Sequence, residues 1–199
     1  MTGIFKTPVD GIVRLKGFNI EGDTQADLSV HGGYAKSVYA YPHEHYAYWQ
    51  SVLPDYAFTM GNFGENLTTQ GLLESDVHIG DQFRIGNAII MAIQPRVPCY
   101  KLGIRFNNPH MVKMFLQSQR LGIYFAIVKE GEFQNGAEIE PYKSVDNSLT
   151  ISDISRIFVQ DRQDLSTLQR AMKLELLPKF WKEEFSKQIK SIQQVQHEQ

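Results

Sequence analysis

The chain has 199 residues, 42% of them hydrophobic, and its 20 Lys and Arg against 22 Asp and Glu leave a formal net charge of −2. That size allows one ordinary globular domain, or a domain with a small appendage, and the near-neutral charge gives no sign of the strongly basic face that nucleic acid requires. A single cysteine excludes an internal disulfide framework and suits a reducing compartment. No apolar run is long enough to cross a bilayer, and Met1–Lys6 lack the layout of a signal peptide. The expectation is a cytoplasmic protein with no nucleic-acid or membrane partner.

Asp10-Gly11 and Lys16-Gly17 punctuate the first apolar runs and predict two short strands between Val9 and Ile20. The polar stretch Gly22 to Asp27 reads as a loop. His31-Gly32-Gly33 follows Leu28 to Val30, and paired glycines let another group approach the backbone. Ser37 to Tyr41 has the β-formers of a strand. Tyr46, Trp49 and Leu53 fall at helical spacing, which predicts an amphipathic helix over 43–53, ended by Pro54-Asp55. Phe58 to Leu73, rich in glycine and polar residues, is a long loop for a structured domain unless it has a task.

Gln82 to Ile85 and Ala88 to Ile93 are predicted strands between the turns Gly80-Asp81 and Gly86-Asn87, and the second is apolar enough to be buried on both faces. Pro109 to Gln117 is predicted as a short helix and Gly122 to Val128 as a buried strand. Glu130-Gly131 then turns toward a strand at Ile139 to Tyr142. Many short strands, frequent glycine turns and two short helices point to a mainly β chain folded as a barrel over 1–148. From Leu149 on there is no glycine. Three apolar stripes, Ile151 to Phe158, Leu165 to Met172 and Phe180 to Ile189, predict a three-helix C-terminal unit over 149–199, with Gln193 to Gln199 frayed.

The one cysteine, Cys99, lies in Gln94-Pro95-Arg96-Val97-Pro98-Cys99-Tyr100-Lys101-Leu102. Two prolines stiffen the approach and bias Gln94 and Val97 toward extended backbone. Arg96 and Lys101 flank the sulfur, and nearby positive charge favours thiolate, the form that attacks or binds metal. The bland alternative is a small buried hydrophobe. Other chemistries lack support. His43 and His45 diverge by about 200° on a helix and cannot chelate together, and one cysteine without grouped histidines offers no zinc set. No G-x-S-x-G elbow, G-x-G-x-x-G fingerprint or P-loop occurs. What remains is a group of polar loops at predicted strand ends: His31-Gly32-Gly33 with Lys36, Gly64-Glu65-Asn66, and Arg96 with Cys99 and Lys101. Amides beside glycines together with Arg and Lys suit an oxyanion.

The ordered series Gly22-Asp23, Gln25-Ala26-Asp27, His31-Gly32-Gly33, Lys36, Tyr41-Pro42, Glu44-His45-Tyr46, Trp49, Phe63-Gly64-Glu65-Asn66-Leu67, Ile79-Gly80-Asp81 and Gln94-Pro95-Arg96-x-Pro98-Cys99-x-Lys101-Leu102 resembles the MOSC domain, named for the C-terminal domain of molybdenum cofactor sulfurases. The chain is most similar to the standalone bacterial type with a C-terminal three-helix unit. It departs from the family's usual pattern at Tyr34-Ala35, where Pro-Asp is common, and at Ala126, where a basic residue is common.

The resemblance implies a β-rich barrel and a cysteine, Cys99, that ligates the molybdenum of a pterin cofactor or carries sulfur as a persulfide. It implies that Arg96, Lys101 and Lys36 neutralise cofactor charge, and that His31, Gly32, Gly33, Glu65 and Asn66 complete the cofactor site. The implied activity is a molybdenum-dependent reduction of N-hydroxylated compounds, with a small-molecule substrate and an electron-donor protein as partners. The alternatives are a persulfide carrier fed by an upstream sulfurase, and a non-catalytic small-molecule-binding module. The pyridoxal-phosphate domain of sulfurases has no counterpart of its size here.

Overall fold

The computed structural model describes residues 3–23 and 33–197, so the expectations for His31 and Gly32 lie outside the described residues. Strands β1 (Ile12–Lys16) and β2 (Asn19–Ile20) form a hairpin closed at Gly17. A 3-10 turn, Tyr34–Lys36, precedes β3 (Val38–Pro42), helix α1 (Glu44–Val52) and β4 (Leu67–Thr69). Then come β5 (Gln82–Ile85), β6 (Ala88–Pro95), α2 (Tyr100–Phe106), α3 (Met111–Ser118), β7 (Ile123–Lys129), β8 (Gly131–Gln134) and β9 (Ile139–Lys143). The chain ends in α4 (Ile151–Val159), α5 (Leu165–Met172) and α6 (Lys179–His197).

The strands make two sheets, ordered β2-β1-β8 and β4-β3-β7-β6-β5-β9, and the second curls into a mixed half-barrel. Only β3 and β4 pair in parallel among the described strands. The barrel-type fold with C-terminal helices is therefore present. Three elements differ from the sequence reading. Leu67–Thr69, inside the stretch read as a long loop, forms β4 by parallel pairing with β3. Residues 131–134, read as the end of a turn, form β8 on β1. Residues 100–106, for which the sequence reading gives no helix, form α2; Gly103 and three β-favouring residues hide a helix whose signal is the buried pair Leu102 and Phe106, four apart.

Alternation along β3 divides the interior. Val38 and Ala40 join Phe125 and Ala92 in one core, which the C-terminal helices complete with Ile151, Ile154, Leu168, Trp181 and Phe185. Tyr39 and Tyr41 face the other way into an aromatic core with Trp49, Phe63, Phe106 and Phe115. Since both faces are covered, all five residues of β3 are buried. The three C-terminal helices thus rest on the sheet's own core. Helix α6 stays helical to His197, past the fraying expected from Gln193.

Candidate functional site

Cys99 sits where β6 has ended and α2 begins. Its backbone is extended, with φ −119° and ψ 172°, and its carbonyl accepts from the Leu102 amide at 3.0 Å. Leu102 and Phe106 anchor α2 in the aromatic core, while Tyr100 and Ile104 point outward, 70% and 55% exposed. The thiol is half-buried, neither sealed in the core nor on an open surface.

Three residues earlier, Arg96 is buried. Its guanidinium donates to the Phe63 carbonyl and lies over the Tyr39 ring at 4.7 Å and the Phe115 ring at 5.9 Å from the centroids. Among the described residues no carboxylate lies within ion-pair distance of it. Burial opposes its charge, but Tyr39, Tyr124 and a thiolate at Cys99 outweigh burial and raise its pKa. Burial also raises the pKa of Tyr39 and Tyr124, against the pull of Arg96. The Tyr39 hydroxyl donates to the Leu121 carbonyl at 2.9 Å.

Strand register brings these groups together. Tyr39 pairs with Tyr124 across β3 and β7, and Tyr124 with Gln94 across β7 and β6. The last pairing depends on a register shift between Ala92 and Gln94, a bulge that re-aims the end of β6. Tyr39 and Tyr124 carry the polar atoms beside Arg96 that the sequence reading passed over. Their signal is a tyrosine in an otherwise apolar buried strand, where the hydroxyl needs a partner.

Lys36 closes the 3-10 turn and is half-buried. Desolvation lowers its pKa, and a thiolate at Cys99 opposes that shift. Lys36 and Arg96 therefore both lie within electrostatic reach of the sulfur. Gly33, at the start of the turn, has φ +89°, and a Cβ built on it would meet nothing within 4 Å, so its backbone borders open space. Lys101 lies in the first turn of α2, half-exposed.

The loop at 61–68 is organised by Glu65. Its buried carboxylate accepts from the Gly61 amide at 2.9 Å, the Phe63 amide at 3.0 Å, the Thr68 hydroxyl at 3.1 Å and the Tyr46 hydroxyl. Gly61, at φ +88°, passes so close to Lys6 that a Cβ would sit 2.9 Å from its carbonyl oxygen. Asn66 accepts from the Tyr39 amide at 2.9 Å and donates to Asp23 at 2.8 Å. Both side chains are engaged by the protein itself. They fix the loop that offers Phe63 to Arg96, and leave Cys99, Arg96 and Lys36 as the groups that converge.

The two departures from the family pattern meet in space: Ala35 packs against the small cluster of Met91, Ile93 and Ala126. His45 pairs with Glu74 at 2.7 Å, and Glu74 also accepts from the Gly122 amide, so that histidine serves structure. Among the described residues no three His, Cys, Asp or Glu side chains converge on a cation site, and no helix is long and apolar enough to cross a membrane.

A model of the MOSC domain matches residues 27–140. The protein YflK of Bacillus subtilis is 38% identical over 186 residues, covering 94% of this chain and 84% of that one. A protein named Reductase in Gibberella moniliformis is 28% identical over 182 residues, 90% of this chain and 32% of its own length. The crystal structure of YiiM from Geobacillus stearothermophilus superposes with a TM-score of 0.81 at 32% identity, covering 95% of this chain and 90% of that one.

Proposed function

Because the chain belongs to the MOSC domain family, we propose that the site around Cys99 binds the molybdenum cofactor and that the protein is a molybdenum-dependent reductase of N-hydroxylated compounds. The observation that carries this is Arg96, a buried cation without a carboxylate partner among the described residues, facing a half-buried thiol that Lys36 also reaches. Buried charge requires compensation. A thiolate at Cys99 offsets part of the Arg96 charge, and an anionic pterin phosphate or dithiolene beside it would offset more. A soft thiolate is the right donor for a soft, high-valent metal. When bound, the group supplies two-electron transfer.

The chain's own residues do the rest. Cys99 Sγ holds the metal, Arg96 and Lys36 neutralise the anion, and Lys101 adds charge at the rim. The open backbone at Gly33 gives room beside the lysine. Reducing an N–OH to N–H takes two electrons and two protons and releases water, and the Lys36 ammonium, held below its ordinary pKa, can supply a proton on the sulfur's side. A relative named Reductase, of which this chain matches about a third, supports the redox reading.

Electrons come from a separate acidic carrier protein docking on α2. Residues 96–129 contain six Lys and Arg and no Asp or Glu in a chain of net charge −2, and Tyr100 and Ile104 stand exposed beside the thiol. Molybdenum and pterin analysis of protein from cofactor-replete native cells tests the reading. Stoichiometric metal and pterin are expected, and their complete absence overturns it.

One observation favours the sulfur-carrier alternative. With no second cysteine in the chain, a persulfide on Cys99 cannot be lost to an internal disulfide. Mass spectrometry of the native protein separates the two readings, since the carrier gains one sulfur on Cys99.

A further inference from the structure

We infer that Gln94 is a positioning residue through which the C-terminal helices hold the Lys36 turn against the strand that presents Cys99. The inference rests on the reading of Cys99, Arg96 and Lys36 as one site, and it assigns a role to two residues outside that set.

Gln94 is 4% exposed, near the end of β6, two residues before Arg96 and five before Cys99. Its side-chain Nε2 donates to the Ala35 carbonyl at 2.8 Å, and its Oε1 accepts from Trp181 Nε1 at 2.7 Å. The indole N–H only donates, so the oxygen must face Trp181 and the amide nitrogen must face Ala35. One planar group thus joins three segments distant in sequence: the end of β6, the 3-10 turn that Lys36 closes, and the first turn of α6.

Each end of the link is held firmly at one side only. Trp181 is fully buried in the large core and packs against Phe158 and Phe185 at 5.0 and 5.8 Å between ring centroids. The 3-10 turn, by contrast, has no side-chain cap and no buried residue. Its local bonds include the Lys36 amide to the Gly33 carbonyl at 3.0 Å and the Ser37 hydroxyl to the carbonyls of Tyr34 at 3.0 Å and Gly33 at 3.4 Å. The Gln94 amide hydrogen-bonds this turn to β6, beside the packing of Ala35 on Met91, Ile93 and Ala126. Its aim depends on the bulge that places Gln94 opposite Tyr124 and on the indole that fixes its rotation. The helices therefore do more than cover an apolar face: through one indole N–H they set where the lysine stands relative to the thiol.

Backbone hydrogen exchange at Lys36 reads the coupling without any cofactor. Trp181→Phe keeps the aromatic packing and removes the indole donor, and Gln94→Met keeps the volume and removes both bonds. Phe185→Leu, in the same core without a hydrogen bond to the site, controls for lost stability. Both Trp181→Phe and Gln94→Met are expected to reduce protection of the Lys36 amide by about fivefold or more, the size of one lost hydrogen bond. The double variant should match Gln94→Met alone, and Phe185→Leu should leave Lys36 as protected as its global stability allows. Wild-type protection at Lys36 in Trp181→Phe, or an equal loss in Phe185→Leu at matched stability, overturns the inference. Should Trp181→Phe not fold, Gln94→Met against Phe185→Leu makes the same comparison. Metal and pterin content is measured on the same samples. Coupling in a protein that never holds the cofactor would sink the reading of the site and leave Gln94's role standing. Cofactor held with Lys36 unmoved would do the reverse.

Discussion

Replacing Glu65 by Gln probes the loop on which Arg96 depends. The carboxylate's Oε1 accepts from Gly61, Thr68 and Tyr46, and its Oε2 from Phe63. A glutamine is nearly the same size but has one acceptor where the carboxylate has two. With its oxygen in the Oε1 position, its NH2 group faces the Phe63 N–H, donor against donor. Turned over, it serves Phe63 and can donate to the two hydroxyls, but leaves the Gly61 N–H unpaired. Either way one buried backbone donor is orphaned, at roughly 1–3 kcal/mol. The surviving bonds lose their charge assistance, roughly 1 kcal/mol each. The neutral group is cheaper to bury, which returns a few kcal/mol. The balance is a loss of about 2–4 kcal/mol, or a Tm lower by roughly 4–16 °C for a chain of this length. Urea denaturation followed by Trp fluorescence measures it. A loss below about 1 kcal/mol with an unchanged m value would refute the claim that this carboxylate organises the loop.

Three further outcomes follow from the structure. Cys99→Ala should abolish molybdenum and pterin retention while changing unfolding free energy by no more than about 1 kcal/mol, since the thiol is only half-buried; retained metal in this variant would remove the sulfur from the site. Lys101→Glu with Arg105→Glu should slow oxidation of a reduced acidic flavodoxin by the metal-loaded protein about tenfold at low ionic strength, with the difference shrinking in high salt; equal rates at all salt concentrations would rule out docking on α2. Asp164→Ala should cost about 1 kcal/mol at pH 7 by removing the cap that accepts the Thr167 amide at 3.0 Å. That bond holds Asp164 below its ordinary pKa of 3.8, so its contribution is present above 3.8 and fades as pH falls through the lowered value; a gap between variant and wild type that widens in acid contradicts this.

The path into the site was legible because it is local. The apolar run ending at Pro95, the two prolines and the single cysteine lie within one stretch, and the structure strings them together as β6, an extended link and the start of α2. Helix α2 itself escaped notice because seven residues with a central glycine show too little periodicity. Strand β8 escaped because Gly131–Gln134 is a strand only by virtue of β1, more than a hundred residues earlier. The long glycine-rich loop advertised a task, but its residues could not show that Glu65 and Asn66 would turn their polar atoms inward to the loop and to Tyr39. The bulge after Ala92 decides which face of β6 Gln94 occupies. Residue types along a strand carry alternation, and alternation is what a bulge breaks.

The charge on Arg96 separates a functional thiol from a structural one. Were Cys99 only a small neutral filler, Arg96 would be a buried guanidinium whose described partners are a carbonyl and two aromatic faces, with Lys36 a second half-buried cation nearby. Cation–π contact offsets part of the desolvation of one such charge, roughly 2 kcal/mol or somewhat more per ring when desolvated, against a penalty of several kcal/mol per buried ion. Glu65 is near in the fold through Phe63, yet its oxygens already receive four donors from the loop and from α1. Among the described residues, the anion that acts on both Arg96 and Lys36 is a thiolate at Cys99. On the proposed reading, an anion bound beside Cys99 would add to that compensation, and a neutral filler at position 99 would remove it.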